Sequence, residues 1–238
     1  MRKLLIAAAC LLVVASAAAG GSAGSPAHVR FDPNKKISQS TSSNWSGYSA
    51  INGLYTSVSA NWTQPTATCT SATTYSSFWV GLDGDGSNTV EQTGTSADCS
   101  GGTPRYYAWY EMYPKFPTNL SLAIRAGDSI SASVTTDGGG RFTLTLTDNT
   151  TGQTNVTTQR LNHAKLASAE VIAEAPSSSG GVLPLTNFGK VGFSSATVNG
   201  QGIGAFNPDR IDMVSGGTLK AQTSALSGTS FSVTWKHS

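Results

Sequence analysis

The chain is short of charge. Lys and Arg number 15 and Asp and Glu 13 in 238 residues, 12% of the whole, about half the share of an average soluble protein. Long, charge-covered helices are therefore excluded. A formal net charge of +2 is too small for the basic footprint of a nucleic-acid-binding protein. Histidine is scarcer still. His28, His163 and His237 show no ligand spacing, which argues against a His-based zinc centre. A Ser–His–Asp triad would have only His163 inside the fold as its base. Beyond the N-terminus no stretch is apolar enough to span a bilayer. Low charge does not mean disorder here, because 38% hydrophobic residues, with 5 Trp, 7 Tyr and 8 Phe, can fill a core.

What replaces charge is glycine, serine and threonine. Gly occurs 26 times, and Ser plus Thr make up about a quarter of the chain, well above average usage. The first residues read as targeting rather than fold. Arg2 and Lys3 precede an apolar run from Leu4 to Val14, followed by small residues through Ala19. This is the pattern of a secretory signal peptide over 1–19. Residues 20–43 are poor in hydrophobics and read as a flexible leader or short pro-segment. From 44 to 238 no linker or change of composition interrupts the chain, so one domain is expected. Without residues 1–43 the formal net charge falls to about −2, so the basic balance belongs to the precursor.

Three cysteines become two once the signal is removed. Cys69 and Cys99 are expected to pair in an oxidising compartment. A loop of about 30 residues closed in this way is worth roughly 3–4 kcal/mol in the chain-entropy model.

The remaining pattern is β. Tyr55–Thr63, Ser76–Leu82, Arg105–Tyr113, Ser129–Thr136, Arg141–Thr147, Ala169–Glu174, Lys190–Phe193, Ile211–Val214 and Ser230–Trp235 are short, rich in β-branched or aromatic residues, and often alternate with period two. Gly138-Gly139-Gly140 marks a hairpin between two of them. No window reads as an amphipathic helix. The expected fold is all-β: two antiparallel sheets packed as a concanavalin-like β-sandwich.

Two motif matches fail on context. Gly20-Gly21-Ser22-Ala23-Gly24 fits a nucleophile elbow but lies in the cleavage region. Asp83-Gly84-Asp85-Gly86-Ser87 resembles the start of a calcium loop, but Gly94 stands where a bidentate Glu belongs. No metal and no cofactor is expected. Carboxylates inside apolar strands are what stands out. Alternation places Trp79, Gly81 and Asp83 on one face of their strand, Tyr107, Trp109, Glu111 and Tyr113 on one face of theirs, and Glu170, Ile172 and Glu174 on one face of a third. Faces mixing aromatics and carboxylates suggest the wall of a cleft; an exposed face with solvated carboxylates fits the patterning equally. Glu170 and Glu174 are about 13 Å apart along one strand, too far for a glycosidase pair. Gln92, in Glu91-Gln92-Thr93-Gly94, is one further polar residue on a strand just after the Asp83 loop.

Taken in order, Ser43-Asn44-Trp45-Ser46-Gly47-Tyr48, Trp79-Val80-Gly81-Leu82-Asp83-Gly84-Asp85, Glu91-Gln92-Thr93-Gly94, Ala108-Trp109-Tyr110-Glu111-Met112-Tyr113-Pro114, Ser168-Ala169-Glu170-Val171-Ile172-Ala173-Glu174, Phe188-Gly189-Lys190-Val191-Gly192-Phe193 and Ile211-Asp212-Met213-Val214 resemble the glutamic peptidases, or eqolisins. The sequence departs from the family at Val171, where Trp is usual. The resemblance implies a β-sandwich with a concave active face and a secreted, acid-acting endopeptidase. It implies Gln92 and Glu170 as catalytic pair, with Trp79, Asp83, Trp109 and Glu111 lining the substrate cleft. Glu170 would take a proton from water and return it to the leaving amine, with a pKa of about 4.3 if unperturbed and raised by the negative charge that Asp83 and Glu111 gather in the cleft, while Gln92 would hold the oxyanion. The expected partners are polypeptide substrates, with no nucleic acid, no membrane after signal removal and a monomeric state. The alternative is a secreted, lectin-like sandwich in which Trp109, Tyr107 and Tyr113 form a sugar platform; a glycosidase using Glu111 and Glu170 is a third reading.

Overall fold

The computed structural model describes residues 41–238. The expected signal peptide and nearly all of the expected leader lie outside the described residues. Thr41 and Ser42, at the end of that leader, already form a strand. The strands in order are β1 (Thr41–Ser42), β2 (Trp45–Ile51), β3 (Ser57–Thr63), β4 (Ser77–Leu82), β5 (Val90–Ser100), β6 (Thr103–Tyr113), β7 (Thr118–Asn119), β8 (Ser129–Thr136) and β9 (Arg141–Asp148). They continue with β10 (Gln153–Arg160), β11 (Ser168–Glu174), β12 (Ser177–Ser178), β13 (Gly181–Val182), β14 (Lys190–Val198), β15 (Gln201–Gly202), β16 (Asp209–Ser215), β17 (Thr218–Thr223) and β18 (Phe231–Trp235). Among the described residues the only helical piece is a 3₁₀ turn at Ile203–Phe206. The all-β expectation and each of the nine expected strands are met in the structure.

One hydrogen-bonded path folds back on itself as two layers. The first layer runs β10-β9-β8-β3-β14-β18-β17-β16, and the second runs β16-β2-β11-β4-β5-β6-β7. Strand β16 belongs to both. Asp209 to Ile211 pair with Ser49 to Gly47 of β2, whereas Met213 to Ser215 pair with β17 across an irregularity at Met213/Val214. A bulge of this kind re-aims the strand, and here it turns the chain from one layer to the other. Strand β1 pairs parallel with Asp212 and Met213.

The main core fills the space between the layers. Val58, Ala60 and Trp62 of β3, Ile130 and Val134 of β8, and Phe142, Leu144 and Leu146 of β9 meet Phe78, Val80 and Leu82 of β4 and Ala169, Val171 and Ala173 of β11. The apolar residues of each strand recur at every second position, as the pleat requires. The Trp62 indole crosses between layers to donate to Thr95 Oγ1 at 3.0 Å. At the edge, Cys69 and Cys99 are joined with their Cα atoms 5.4 Å apart, as expected. The disulfide ties the β3–β4 connection to the end of β5.

Candidate active site

The second layer has two buried faces, and the one turned away from the main core carries the candidate chemistry. Its register aligns Glu111, Gln92, Gly81, Glu170, Ser49 and Asp209 in a single row across six strands. Two residues along, Trp109, Gly94, Trp79, Ile172, Gly47 and Ile211 form a second row. A third holds Tyr107, Ser96, Ser77, Glu174 and Trp45. Trp45, Trp79, Val90, Trp109, Ile172 and Ile211, with Tyr107 and Tyr113 against them, make an apolar cluster separate from the main core. Apart from Asp83, the side chains that alternation put together on three strands share this face.

Glycines make room in these rows. Gln92 and Glu170 are separated by one intervening strand, about 10 Å between backbones, and the residue between them is Gly81. A Cβ there would stand 2.9 Å from the Trp79 ring and 3.1 Å from Gln92 Cβ. Gly94 lies between Trp79 and Trp109, where a Cβ would collide with the Phe78 carbonyl oxygen. Side chains from flanking strands can therefore lean over glycine rather than stand apart.

Gln92, Glu111 and Glu170 are all fully buried. Gln92 Nε2 donates to Glu111 Oε2 at 2.7 Å. An amide N–H donates and a carboxyl oxygen accepts, so this bond sets which end of the amide faces Glu111. Gln92 Oε1 has no hydrogen-bond partner among the described residues. Glu170 Oε1 accepts the Asp85 N–H at 3.1 Å, while Oε2 has no partner. Burial raises the Glu170 pKa to about 8, Asp85 adds to the rise, and Ser168 with the Gly84 and Asp85 amides opposes it. The rise above the unperturbed value is in the direction expected from sequence, but its largest cause is desolvation rather than neighbouring charge.

Trp79 and Trp109 share the second row of this face, and both are held by hydrogen bonds. Trp79 Nε1 donates to Glu174 Oε2 at 2.8 Å, and Asn44 Nδ2 donates to Glu174 Oε1 at 3.0 Å. Trp109 Nε1 donates to Ser96 Oγ at 3.0 Å. Trp45 meets Trp79 edge to face with ring centroids 5.0 Å apart. Asp83 behaves differently from the strand reading. Its φ of 68° takes it out of the pleat, and its two carboxylate oxygens accept the Leu166 and Ala167 N–H groups, each at 2.7 Å. It anchors the segment that leads into β11 and Glu170. The carboxylate beside Glu170 is that of Asp85, raised by burial and by Asp209 and lowered by the Ser49 hydroxyl.

Asp85, Ser168, Ser49 and Trp45 were not singled out from the sequence. Asp85 and Trp45 stand inside motifs already quoted, but their approach to Glu170 depends on the turn at Asp83. Of the sugar platform in the alternative reading, the Tyr107 hydroxyl is engaged within the fold, donating to Asp98 at 2.8 Å. Asp98 is itself pushed up to about 7 by burial. No group of three or more His, Cys, Asp or Glu residues placed to hold a metal occurs among the described residues. A separate cavity of about 440 Å³ lies at the β8–β9 hairpin, lined by Phe142, His163 and Leu166 among others.

Known proteins resemble the chain over most of its length. The model of the peptidase A4 family matches residues 43–235. Aspergillopepsin-2 from Aspergillus niger is 30% identical over 228 residues, covering 85% of this chain and 80% of its own. Scytalidopepsin B from Scytalidium lignicola is 39% identical over 113 residues, 47% of this chain and 42% of its own. The crystal structure of scytalido-glutamic peptidase with a transition state analog inhibitor superposes with a TM-score of 0.72 at 28% identity, covering 82% of this chain and 98% of that one. Aspergilloglutamic peptidase from Aspergillus niger gives 0.61 at 30% identity, covering 68% and 99%.

Proposed function

The chain belongs to the peptidase A4 family, the glutamic-type endopeptidases, and from that premise we propose that Glu170 and Gln92 are the catalytic pair of a secreted enzyme that hydrolyses polypeptides in acid. The observation that carries the pairing is the row in which only Gly81 separates them, with one unpartnered buried oxygen on each.

Water seated against Glu170 Oε2 and Gln92 Oε1 would satisfy both oxygens. The water oxygen bonds to the scissile carbonyl carbon as its proton passes to Glu170. The Gln92 N–H not engaged by Glu111 holds the oxyanion. When the C–N bond breaks, Glu170 returns the proton to the departing amine and is again a carboxylate. Glu111 acts by holding the amide in the donating orientation, and Trp79, Trp109 and Glu111 give the substrate its floor. No step needs a metal or a histidine.

Burial disfavours the ionised base, but a bound water gives Oε2 the donor it lacks and lowers its pKa. The acid limb of kcat/KM is therefore expected above the ordinary 4.3 and below about 8. On the alkaline side, Asp85 beside Glu170 and Asp209 beside Asp85 accumulate like charge. Secretion is supported by the Cys69–Cys99 bridge, a feature of oxidising compartments. No described helix is long and apolar enough to cross a membrane. The working unit is taken to be one copy of the chain.

The test is digestion of casein or haemoglobin across the acid range, with a polysaccharide pull-down beside it. Digestion without sugar binding is expected, lost in both Gln92→Ala and Glu170→Ala with circular dichroism unchanged. A fully active Glu170→Gln enzyme would overturn the assignment.

A further inference from the structure

Glu91 adjoins Gln92 in β5 but points to the opposite face, because successive strand residues alternate. Its register partners are Leu82 and Met112, both members of the main core. The residue is fully buried, and neither carboxylate oxygen meets a hydrogen-bond partner at ordinary distance and angle. The hydrolytic steps above have no use for it.

Among the described residues no cation is found to act on it. On its own layer, Asp83 closes β4, with its carboxylate taken by Leu166 and Ala167 N–H groups, and Glu170 stands one strand further on in β11. Glu111 of β6 lies on the other face, against Gln92. Across the sandwich, β8 and β9 turn inward Ile130, Ala132, Val134, Phe142, Leu144 and Leu146, all apolar. Asp148 ends β9 and is engaged with Thr150 and Thr151. A carboxyl among such neighbours is tolerated only while neutral.

We propose that Glu91 is a proton-held latch on the active fold: its carboxyl must stay protonated for β5 to keep its place, and its ionisation as the solution loses acidity loosens β5 and carries Gln92 out of line with Glu170. The latch itself rests on burial and on the missing partners. Its effect on activity rests on the catalytic reading of Gln92.

Burial, with Asp83 and Glu170 adding to it and Thr89 opposing, pushes this carboxyl up to about 9 from 4.5. The unfolded chain releases the proton near the lower value and the folded chain holds it to the higher one. Stability is thus complete below about 4.5 and falls tenfold in the folding constant per pH unit until about 9.

The experiment is urea unfolding, followed by tryptophan fluorescence, of the wild-type chain, Glu91→Gln and Glu91→Leu at about pH 4.5, 6 and 7.5. Glu170 and Asp98 also hold protons in the fold, so every curve slopes; the ratio of variant to wild-type folding constants isolates Glu91. That ratio is expected to rise about tenfold per pH unit, reaching about a thousandfold at the highest pH. A uniform gain or loss from the new side chain shifts all three pH values together and leaves the ratio's slope at zero. A ratio constant with pH in both variants overturns the latch. In the same variants the alkaline limit of peptide hydrolysis is expected to move upward. A changed stability slope with an unmoved activity limit would overturn the link to Gln92 and leave the stability effect standing.

Discussion

Strands β8 and β9 in one layer and β4, β5 and β11 in the other are made of similar small and β-branched residues, yet they are buried differently. In β8 and β9 the inward positions are buried and those between are exposed or half-buried. In β4 and β11 every residue is buried, and in β5 all but the last. The outer layer therefore behaves as an ordinary half-solvated antiparallel sheet. The inner one also encloses its second face, and that face is polar. Burying polar groups is tolerable when they are paired, and here most are: Ser77 with Ser96, Trp109 with Ser96, Trp79 and Asn44 with Glu174, Gln92 with Glu111. Among the exceptions on this face, Gln92 Oε1 and Glu170 Oε2 sit in the row proposed to do chemistry, together with Ser49 Oγ, while Trp45 Nε1 lies two rows away. A doubly buried sheet thus separates into a network that holds and a few polar atoms left over, of which one lies on each member of the proposed pair.

The largest effect that would break this contrast is on rate. Gln92→Ala should lose about 10²–10³ in kcat/KM, the usual cost of an oxyanion donor. Glu170→Ala should lose about 10²–10⁴ as the general base disappears. Both are measured on a fluorogenic peptide with the fold checked by circular dichroism. Equal activity in either variant would reduce the inner face to structure alone.

Much of this was legible before the fold was known. Period-two alternation in Trp79–Leu82, Tyr107–Tyr113 and Glu170–Glu174 places the aromatic and carboxylate faces correctly, because a strand offers only two sides. What alternation cannot carry is departure from the strand. Asp83 turns out at φ 68° and anchors a neighbouring loop, while Asp85, two residues on, reaches Glu170 through its own amide. The main cause of the raised Glu170 pKa was hidden for a related reason: desolvation comes from what other strands place around a residue, which no local pattern encodes. Glu91 was open to the same alternation argument, since a residue next to Gln92 must face the core, but one charged letter inside a motif does not announce its burial.

A smaller effect is expected at Glu174. Truncation to Ala removes the acceptor for Trp79 Nε1 and Asn44 Nδ2 and leaves buried donors behind. The expected loss is about 2–4 kcal/mol of stability, read as a lower urea midpoint, with substantial kcat retained because the residue lies two rows from Gln92 and Glu170. Loss of kcat as large as in Glu170→Ala would place Glu174 in the chemistry and redraw the site.

The smallest effects compare the layers directly. Ser96 receives the Trp109 indole N–H and shares a hydrogen bond with Ser77 Oγ, so Ser96→Ala should cost about 1–3 kcal/mol by stranding a buried indole donor. Thr145, in β9, is half-buried on the outward face. Thr145→Val keeps the β-branch and should move stability by no more than about 0.5 kcal/mol. Urea midpoints of the two variants, taken at one acidic pH so that Glu91, Glu170 and Asp98 stay in one protonation state, give the comparison. If the two substitutions cost the same, the inner face is no more demanding than the outer, and its polar network cannot be what keeps Trp109 in place. If Ser96→Ala is the costlier and also raises KM with kcat unchanged, the network's role is to hold the floor on which substrate lies, separate from the pair that cleaves it.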